Sequence, residues 1–298
     1  MKLIISIILV FSFLLADYIP TTFGNCYLKN HKADIDDIGF IEKMIIEETE
    51  KLTKEFGNIE KKPFTVHIAP SREEFDKITR GHAPEWSIAL AMRSPDRIVI
   101  LSPVTAQISQ ARLKDVIVHE LNHVYIHRIS NSYAPSWFLE GLAMRSSGEF
   151  SIIHKVKISQ ALWKSDILTL SKLNNIQARQ KSQISLAYGQ SAAAVYAMEF
   201  YYGSKVLGDI LKEMRKGMDF DDAFQKITGD NRLDFQIKYF DFIEDNYSWI
   251  ILLKTSRYIF VLLPLILIFG YYFRYKKNKK TMERWEKEEV ERNDEEIN

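Results

Sequence analysis

The spacing of apolar residues predicts a helix and a strand in the first part of the chain. Between residues 36 and 56, large apolar side chains recur about every 3.6 positions, which is the period of an α-helix. Asp36 or Asp37 can cap this helix, and Gly57 is expected to end it. Residues 63–69 instead alternate and are rich in β-forming side chains, which predicts a strand.

The next segment continues this mixture of helix and strand. The capping-box spacing that starts at Ser71 indicates a short helix. Residues 87–93 and 97–101 have the pattern of two strands, joined by a turn at 94–96. A helix-and-strand half is therefore expected before residue 102.

Beyond Trp137 the apolar spacing is almost wholly helical, and glycines separate the helices. The predicted helices cover residues 136–146, 154–164, 187–202, 204–216, 219–227 and 232–247. The fold class predicted from these patterns is α+β, with a mixed sheet first and a helical subdomain after it.

The first residues have the pattern of an export signal. Lys2 precedes an apolar run of about thirteen residues, and the small residue Ala16 follows it. We predict a signal peptide over residues 1–16, which is either cleaved or retained as an anchor. A buried N-terminal helix is disfavoured because the run has no polar face to present to water.

A second apolar run near the other end predicts one transmembrane helix over residues 255–273. Sixteen uncharged residues, Tyr258–Phe273, would extend about 24 Å as a helix, somewhat less than a hydrocarbon core of ~30 Å. The basic cluster that follows would place the charged tail, residues 274–298, in the cytoplasm. The expected location is the cell membrane, as a single-pass protein whose residues from about Asp17 to Trp249 lie outside the cytoplasm.

Composition limits the classes of function. The 46% hydrophobic content of the 298 residues suits a globular fold with a sizeable core. Because 40 basic residues nearly balance 39 acidic ones, no global field favours nucleic acid, and we expect no nucleic-acid partner. The single cysteine, Cys26, cannot form an internal disulfide. An Ile-rich and Lys-rich composition favours a bacterial origin.

The strongest chemical signal is the sequence His119-Glu120-Leu121-Asn122-His123. On a helix, His119 and His123 lie one turn apart on the same face, so that both imidazoles can reach one zinc ion. Glu120 lies beside them, where it can hold a water molecule on the metal. His127 lies ~12 Å from His119 along the helix and cannot share that ion, so it is either a packing residue or part of a subsite.

A catalytic zinc site needs one more protein ligand. Glu140 is the leading candidate, with sixteen residues between it and His123, on a predicted helix that can pack back against the first. Glu149 and His154 are weaker candidates. Asp115, one turn before His119, can either orient an imidazole or act as a charge near the helix N-terminus.

These motifs resemble those of the peptidase MA-like gluzincin metallopeptidases. The resemblance rests on HELNHVYIH, PSWFLEGLA, AYGQSAAAVYAMEFYYG and DFDDAFQKITG, and covers roughly Pro63 to Phe242. It implies a zincin-like peptidase domain, with His119, His123 and Glu140 as ligands of one Zn²⁺ and Glu120 as the general base. It also points to Tyr188 as a partner of the oxyanion, although an aromatic packing role for Tyr188 stays open.

The expected domain organisation follows from these patterns. We predict a signal peptide, an N-terminal helical lead-in, a gluzincin-like peptidase domain, a transmembrane helix and a charged tail, over residues 1–16, 17–62, 63–248, 255–273 and 274–298. The resemblance implies that the edge strand near Ile88–Met92 receives an extended peptide.

Two functions remain open at this point. The first is a membrane-anchored zinc metallopeptidase that hydrolyses peptide bonds with a zinc-activated water. The second is a catalytically inactive binding or assembly protein on a zincin scaffold, which would have no need of Glu120. The expected partners are a peptide or protein substrate and the lipid bilayer. The substrate, the choice between endopeptidase and exopeptidase, and the oligomeric state are not determined by the residues.

Overall fold

A computed structural model describes residues 18–21, 24–28, 35–58, 64–93, 96–130, 133–176, 181–250, 263–282 and 284. The chain divides into two compact units, Met1–Ser248 and Trp249–Asn298. The predicted signal peptide, residues 1–16, lies outside the described residues, as do the first two residues of the predicted 94–96 turn.

The first unit begins with a five-stranded mixed sheet in the order β1-β2-β3-β5-β4. Its strands are β1 (Tyr18–Thr21), β2 (Gly24–Leu28), β3 (Phe64–Ala69), β4 (Ala89–Arg93) and β5 (Asp96–Leu101). β2, β3 and β5 are parallel, whereas β1 and β4 are antiparallel to their neighbours. β4 therefore forms one edge of the sheet.

The three strands predicted from alternation are present as β3, β4 and β5. The short strands β1 and β2 were missed, because they lie where a helical lead-in was expected. Pro20 and Gly24 interrupt any local strand pattern there. Pairing with β3, in the register Gly24↔Phe64, joins residues about forty positions apart, so the partner that makes β2 a strand is not visible locally.

Helices surround the sheet and form most of the first unit. They are α1 (Ile35–Phe56), α2 (Arg72–Thr79), α3 (Pro103–Ala106), α4 (Gln110–Ile129), α5 (Ser136–Ser147), α6 (Ile152–Trp163), α7 (Lys181–Tyr202), α8 (Val206–Arg215), α9 (Phe220–Thr228) and α10 (Arg232–Tyr247). The predicted helices correspond to these elements, and α7 begins at Lys181, earlier than the predicted residue 187.

The core holds α4 between the sheet and the helical half. Its buried apolar residues include Val116, Ile117, Leu121 and Val124, as the amphipathic pattern predicts. In the sheet, Ile98 and Ile100 of β5 are fully buried. The functional helix therefore lies in a rigid, closely packed layer of the molecule.

A close contact between α5 and α7 fixes the position of α5. A Cβ at Gly141 would lie 2.4 Å from the carbonyl oxygen of Ser191 and 2.5 Å from the Val195 Cγ2 atom. Only glycine permits this approach. On the same helix, the indole of Trp137 packs edge-on against Phe220, with ring centroids 5.7 Å apart. These contacts hold the residue next to Gly141, which is Glu140, in place.

The second unit contradicts the predicted transmembrane helix. Its described part is a helix over residues 263–282, and no described helix is long and apolar enough to cross a membrane. The described helix continues into the basic residues Arg274, Lys276, Lys277, Lys279 and Lys280. Residues 255–262 of the predicted span lie outside the described residues. The predicted extracytoplasmic location now rests on the N-terminal run alone and stays a prediction.

Candidate metal centre

Helix α4 presents His119 and His123, two of the predicted metal ligands, on one face. The helix is capped by Ser109, whose side chain accepts a hydrogen bond from the backbone N–H of Arg112. His119 and His123 lie one turn apart, with ring centroids 5.1 Å from each other. Because both stand in the middle of a packed helix, their imidazoles are held in a fixed relation.

Glu140 completes the cluster from α5. Its Oε2 atom lies 3.4 Å from His119 Nε2 and 3.6 Å from His123 Nε2. One donor atom from each of the three residues lies within 4.8 Å of the other two. The Glu140 Oε2 atom is buried and has no hydrogen-bond partner, which is costly unless a cation occupies the space between the three side chains. The donor set therefore suits a metal ion.

The electrostatics of this cluster also favour a positive charge. Burial by itself would raise the pKa of Glu140, but the neighbouring His123 and His119 outweigh it and hold that pKa far below its usual value. Burial would lower the pKa of His119, but the adjacent carboxylates of Glu140 and Glu149 outweigh it and raise that pKa well above 6.5. Without a metal the cluster binds a proton, and a metal ion would take the place of that proton.

Glu120 lies beside the cluster and is hydrogen-bonded to the edge strand of the sheet. Its Oε2 atom accepts a hydrogen bond of 2.7 Å from the backbone N–H of Ala91 in β4. Burial raises the pKa of Glu120, although His119 and His123 partly offset the effect. A carboxylate with a raised pKa is suited to accepting and returning a proton near neutral pH.

Glu149, a weaker candidate for the third ligand, contacts the other ring nitrogen of His119, a role that was not predicted. Its Oε2 atom lies 2.7 Å from His119 Nδ1, on the opposite side of the ring from Glu140. The hydroxyl of Ser147 donates to the same oxygen over 3.0 Å, and Arg112 forms an ion pair with the other oxygen. His119 and Arg112 outweigh the effect of burial and lower the pKa of Glu149 to about 2. Glu149 thus contacts the imidazole from the side opposite Glu140 and lies outside the described group of three possible metal ligands.

The role considered for Asp115 as the residue that orients the imidazole therefore belongs to Glu149. Gly148 indicates in the sequence that α5 ends there, because helices commonly end at a glycine in the left-handed conformation. The structure has Gly148 in that conformation. That signal shows only that the chain turns after the helix. It does not show that the next side chain reaches His119, which depends on the packing of α5 against α4.

The remaining candidate residues line the same cleft. The Tyr188 ring on α7 lies 6.4 Å from the His119 ring and 6.1 Å from the Trp86 ring. Burial raises the pKa of Tyr188 well above 10, so its hydroxyl stays protonated. The Nδ1 atom of His154 accepts a hydrogen bond from the backbone N–H of Ser151 at the start of α6, which engages it away from the metal cluster.

His127 stacks on His123, with ring centroids 6.2 Å apart. Burial and the nearby charge of Arg93 lower the pKa of His127 to about 3, so the ring is neutral. It does not belong to the group of three possible metal ligands and lies in the cleft wall.

The cleft around the cluster has a volume of about 840 Å³. Its walls include residues of the β4 edge, α4, α6 and α7, among them Trp86, Ala91, Asp115, His154 and Tyr188. A volume of this size can hold several residues of an extended peptide.

Comparison with known proteins places the fold and the cluster in a family. The model of the peptidase MA superfamily matches residues 46–244. A solved structure of a two-domain M1 zinc metallopeptidase, a glutamate-to-alanine mutant bound to L-tryptophan, is similar with 14% identity and a TM-score of 0.43. The match covers 76% of this chain and 50% of that one, so the chain spans about half the length of that structure. No curated protein matches the chain. Because the family model covers well over half of the sequence, the predicted family is confirmed, and the chain belongs to the peptidase MA superfamily.

Proposed function

We propose that this protein is a zinc-dependent peptidase that hydrolyses peptide bonds, with His119, His123 and Glu140 as the zinc ligands. The observation that carries the proposal is the convergence of three donor atoms within 4.8 Å of one another, from two separate helices. Membership of the peptidase MA superfamily supports it. Glu120 beside the cluster supports an enzyme over a metal site that is only structural.

The residues fit zinc in number and type. Two imidazole nitrogens and one carboxylate oxygen are a ligand set of catalytic zinc sites, which leave a fourth position open. When bound, zinc acts as a Lewis acid that lowers the pKa of a water molecule from 15.7 to about 7. Glu149 would keep the far nitrogen of His119 protonated and directed at its own carboxylate, so that the near nitrogen can face the ion.

Glu120 would act as the general base. Its carboxylate accepts the proton of the attacking water and later gives it to the amine that leaves when the peptide bond breaks. The hydrogen bond from Ala91 holds one carboxylate oxygen and leaves the other available for the proton. The raised pKa of Glu120 suits both directions of transfer.

The edge of β4 would bind the peptide backbone. The backbone N–H of Leu101 donates to the Ile88 carbonyl, so the backbone groups of Ile88 point towards β5. The backbone N–H and C=O groups of Ala89 and Ala91 therefore point away from β5. The outward backbone groups lie in the wall of the cleft. The Ala91 N–H already donates to Glu120 and the Ala89 carbonyl accepts from the Ser87 hydroxyl. An extended substrate would therefore pair with the remaining outward groups of this edge, such as the Ala91 carbonyl.

Tyr188 would stabilise the negative charge that develops on the carbonyl oxygen of the substrate. Its hydroxyl stays protonated and can donate a hydrogen bond, and its ring lies against His119 at the cluster. The contact with Trp86 holds the ring in the cleft wall.

The proposal is tested by incubating the full chain with a mixture of peptides and identifying products by mass spectrometry. We expect cleavage that stops when 1,10-phenanthroline removes the metal and returns when zinc is added. A zinc-loaded chain that cleaves no peptide or protein would contradict the proposal and favour the inactive binding protein.

Replacing Glu149 is expected to weaken zinc binding without removing a ligand. In Glu149→Gln the negative charge next to His119 Nδ1 is lost, so the imidazole becomes a poorer donor. We expect zinc affinity to fall by about 10-fold to 100-fold, measured by competition with a chromophoric chelator. Glu73→Gln, an exposed glutamate on α2, is the matched control. Equal affinities in the two variants would rule out this role for Glu149.

A further inference from the structure

Asp115 is a carboxylate in the cleft that the proposed reaction does not use. It lies one helical turn before His119 and lines the cleft wall, partly exposed. Its side chain forms no hydrogen bond or ion pair with any residue in the part of the chain that the structure describes. The question is what this side chain binds.

Two local roles for Asp115 are excluded by the structure. It does not orient the imidazole of His119, because Glu149 occupies that position at 2.7 Å. It also contributes little as a charge at the helix N-terminus. Helix α4 begins at Gln110, which places Asp115 beyond the first turn, where the effect of the helix dipole has fallen off.

The other carboxylates that line the cleft, within the described chain, all have partners. Glu120 accepts from the backbone of Ala91. Glu140 contacts the two ligand histidines. Glu149 contacts a histidine, a serine and an arginine. Asp115 differs from all three, because no donor group of the described chain lies within hydrogen-bond or ion-pair distance of its carboxylate.

The charge of Asp115 is also not neutralised by its neighbours. Arg112 lies three residues before Asp115 on the same helix, and it forms an ion pair with Glu149. Burial raises the pKa of Asp115, and the negative charge of Glu149 adds to this effect, while Arg112 and Lys114 only partly oppose it. A cation brought by a ligand would remove this cost.

Two aromatic rings line the same cleft as Asp115. The Tyr188 ring contacts the ring of His119, which is one turn from Asp115, and the Trp86 ring packs against Tyr188. All of these residues line the same cleft. A carboxylate together with aromatic faces is a combination that binds ammonium and guanidinium groups.

We propose that Asp115 is a specificity residue that receives a cationic group of the substrate. The cation is the side chain of a lysine or arginine, or the free α-amine of the peptide. This inference rests on the proposed function, because it takes the cleft to be the site that holds a peptide.

The test uses the full zinc-loaded chain and peptides that differ at one position. Each peptide contains arginine at one site near the cleaved bond, and its partner contains citrulline, which has nearly the same shape without the charge. We expect kcat/KM to be about tenfold higher for arginine at one position, and this ratio to fall towards one in Asp115→Asn. Asp166→Asn, at an exposed aspartate outside the cleft, is the matched control and should keep the preference.

A second arm distinguishes the two sources of the cation. Each peptide is prepared with a free and with an acetylated N-terminus. A preference for the free terminus that Asp115→Asn abolishes identifies the α-amine as the bound group. No preference for either cation, or a preference that persists unchanged in Asp115→Asn, overturns the proposal. If Asp115→Asn does not fold, as judged by circular dichroism, Asp115→Ser takes its place.

A peptide-binding experiment distinguishes failure of this inference from failure of the proposed function. If no peptide is cleaved, the proposed function fails, and labelled arginine and citrulline peptides are titrated with the full chain by fluorescence anisotropy. Tighter binding of the arginine peptide that disappears in Asp115→Asn supports the role of Asp115. Equal Kd values for the two peptides overturn it.

Discussion

Replacing Glu140 by alanine is expected to reduce the zinc content of the purified chain from about one ion to nearly none. The substitution leaves two imidazoles on α4 as the only protein ligands of the cluster. Loss of one of three ligands should weaken zinc binding on the order of a hundredfold or more, enough for the ion to be lost during washing. Elemental analysis after zinc loading and dialysis measures this directly.

The packing of α5 makes the Glu140 result interpretable. Gly141 and Trp137, rather than Glu140, make the contacts that hold α5 against its neighbours. We therefore expect Glu140→Ala to keep the far-UV circular dichroism spectrum of the wild type. Glu140→Gln, which preserves the shape, separates loss of the charge from loss of volume. Full zinc occupancy in both variants would show that Glu140 is not a ligand.

Replacing Glu120 by glutamine is expected to abolish peptide hydrolysis while zinc remains bound. An amide cannot accept the proton of the attacking water, so kcat should fall by about 10²-fold to 10⁴-fold. The amide oxygen can still accept the hydrogen bond from Ala91, so the edge of β4 keeps its position. The measurement is the single-turnover rate on a peptide that the wild type cleaves, with zinc content determined on the same sample.

The Glu120 result separates the two functions that the sequence leaves open. A catalytically inactive binding protein does not need a general base at residue 120. For such a protein, the affinity for its partner would not change in Glu120→Gln. Activity within tenfold of the wild type, with zinc bound, would rule out Glu120 as the base. Glu199→Gln is unsuitable as a control because Glu199 pairs with Arg145. Glu73→Gln removes the same charge at an exposed position of α2 that does not line the cleft.

The transmembrane prediction shows where local hydropathy misleads. The described helix, 263–282, contains both the end of the uncharged run and the basic residues after it. No described helix is long and apolar enough to cross a membrane.

The strands at the N-terminus show a second limit of local patterns. β3, β4 and β5 alternate within themselves and are visible in the sequence. β1 and β2 are short, contain Pro20 and Gly24, and become strands because β2 pairs with the distant β3. Pairing of this kind depends on the rest of the fold and not on the residues of the strand.

The candidate site also has one part that local sequence determines and one part that depends on the tertiary structure. The sequence by itself determined that His119 and His123 share a helical face with Glu120 beside them, because the period of the α-helix fixes that relation. Only the tertiary structure decided that Glu140 faces them, that Glu149 reaches the far nitrogen of His119, and that Ala91 holds Glu120. Those contacts join separate elements, and their geometry is set by the packing of α5 and β4 against α4, which no local spacing encodes.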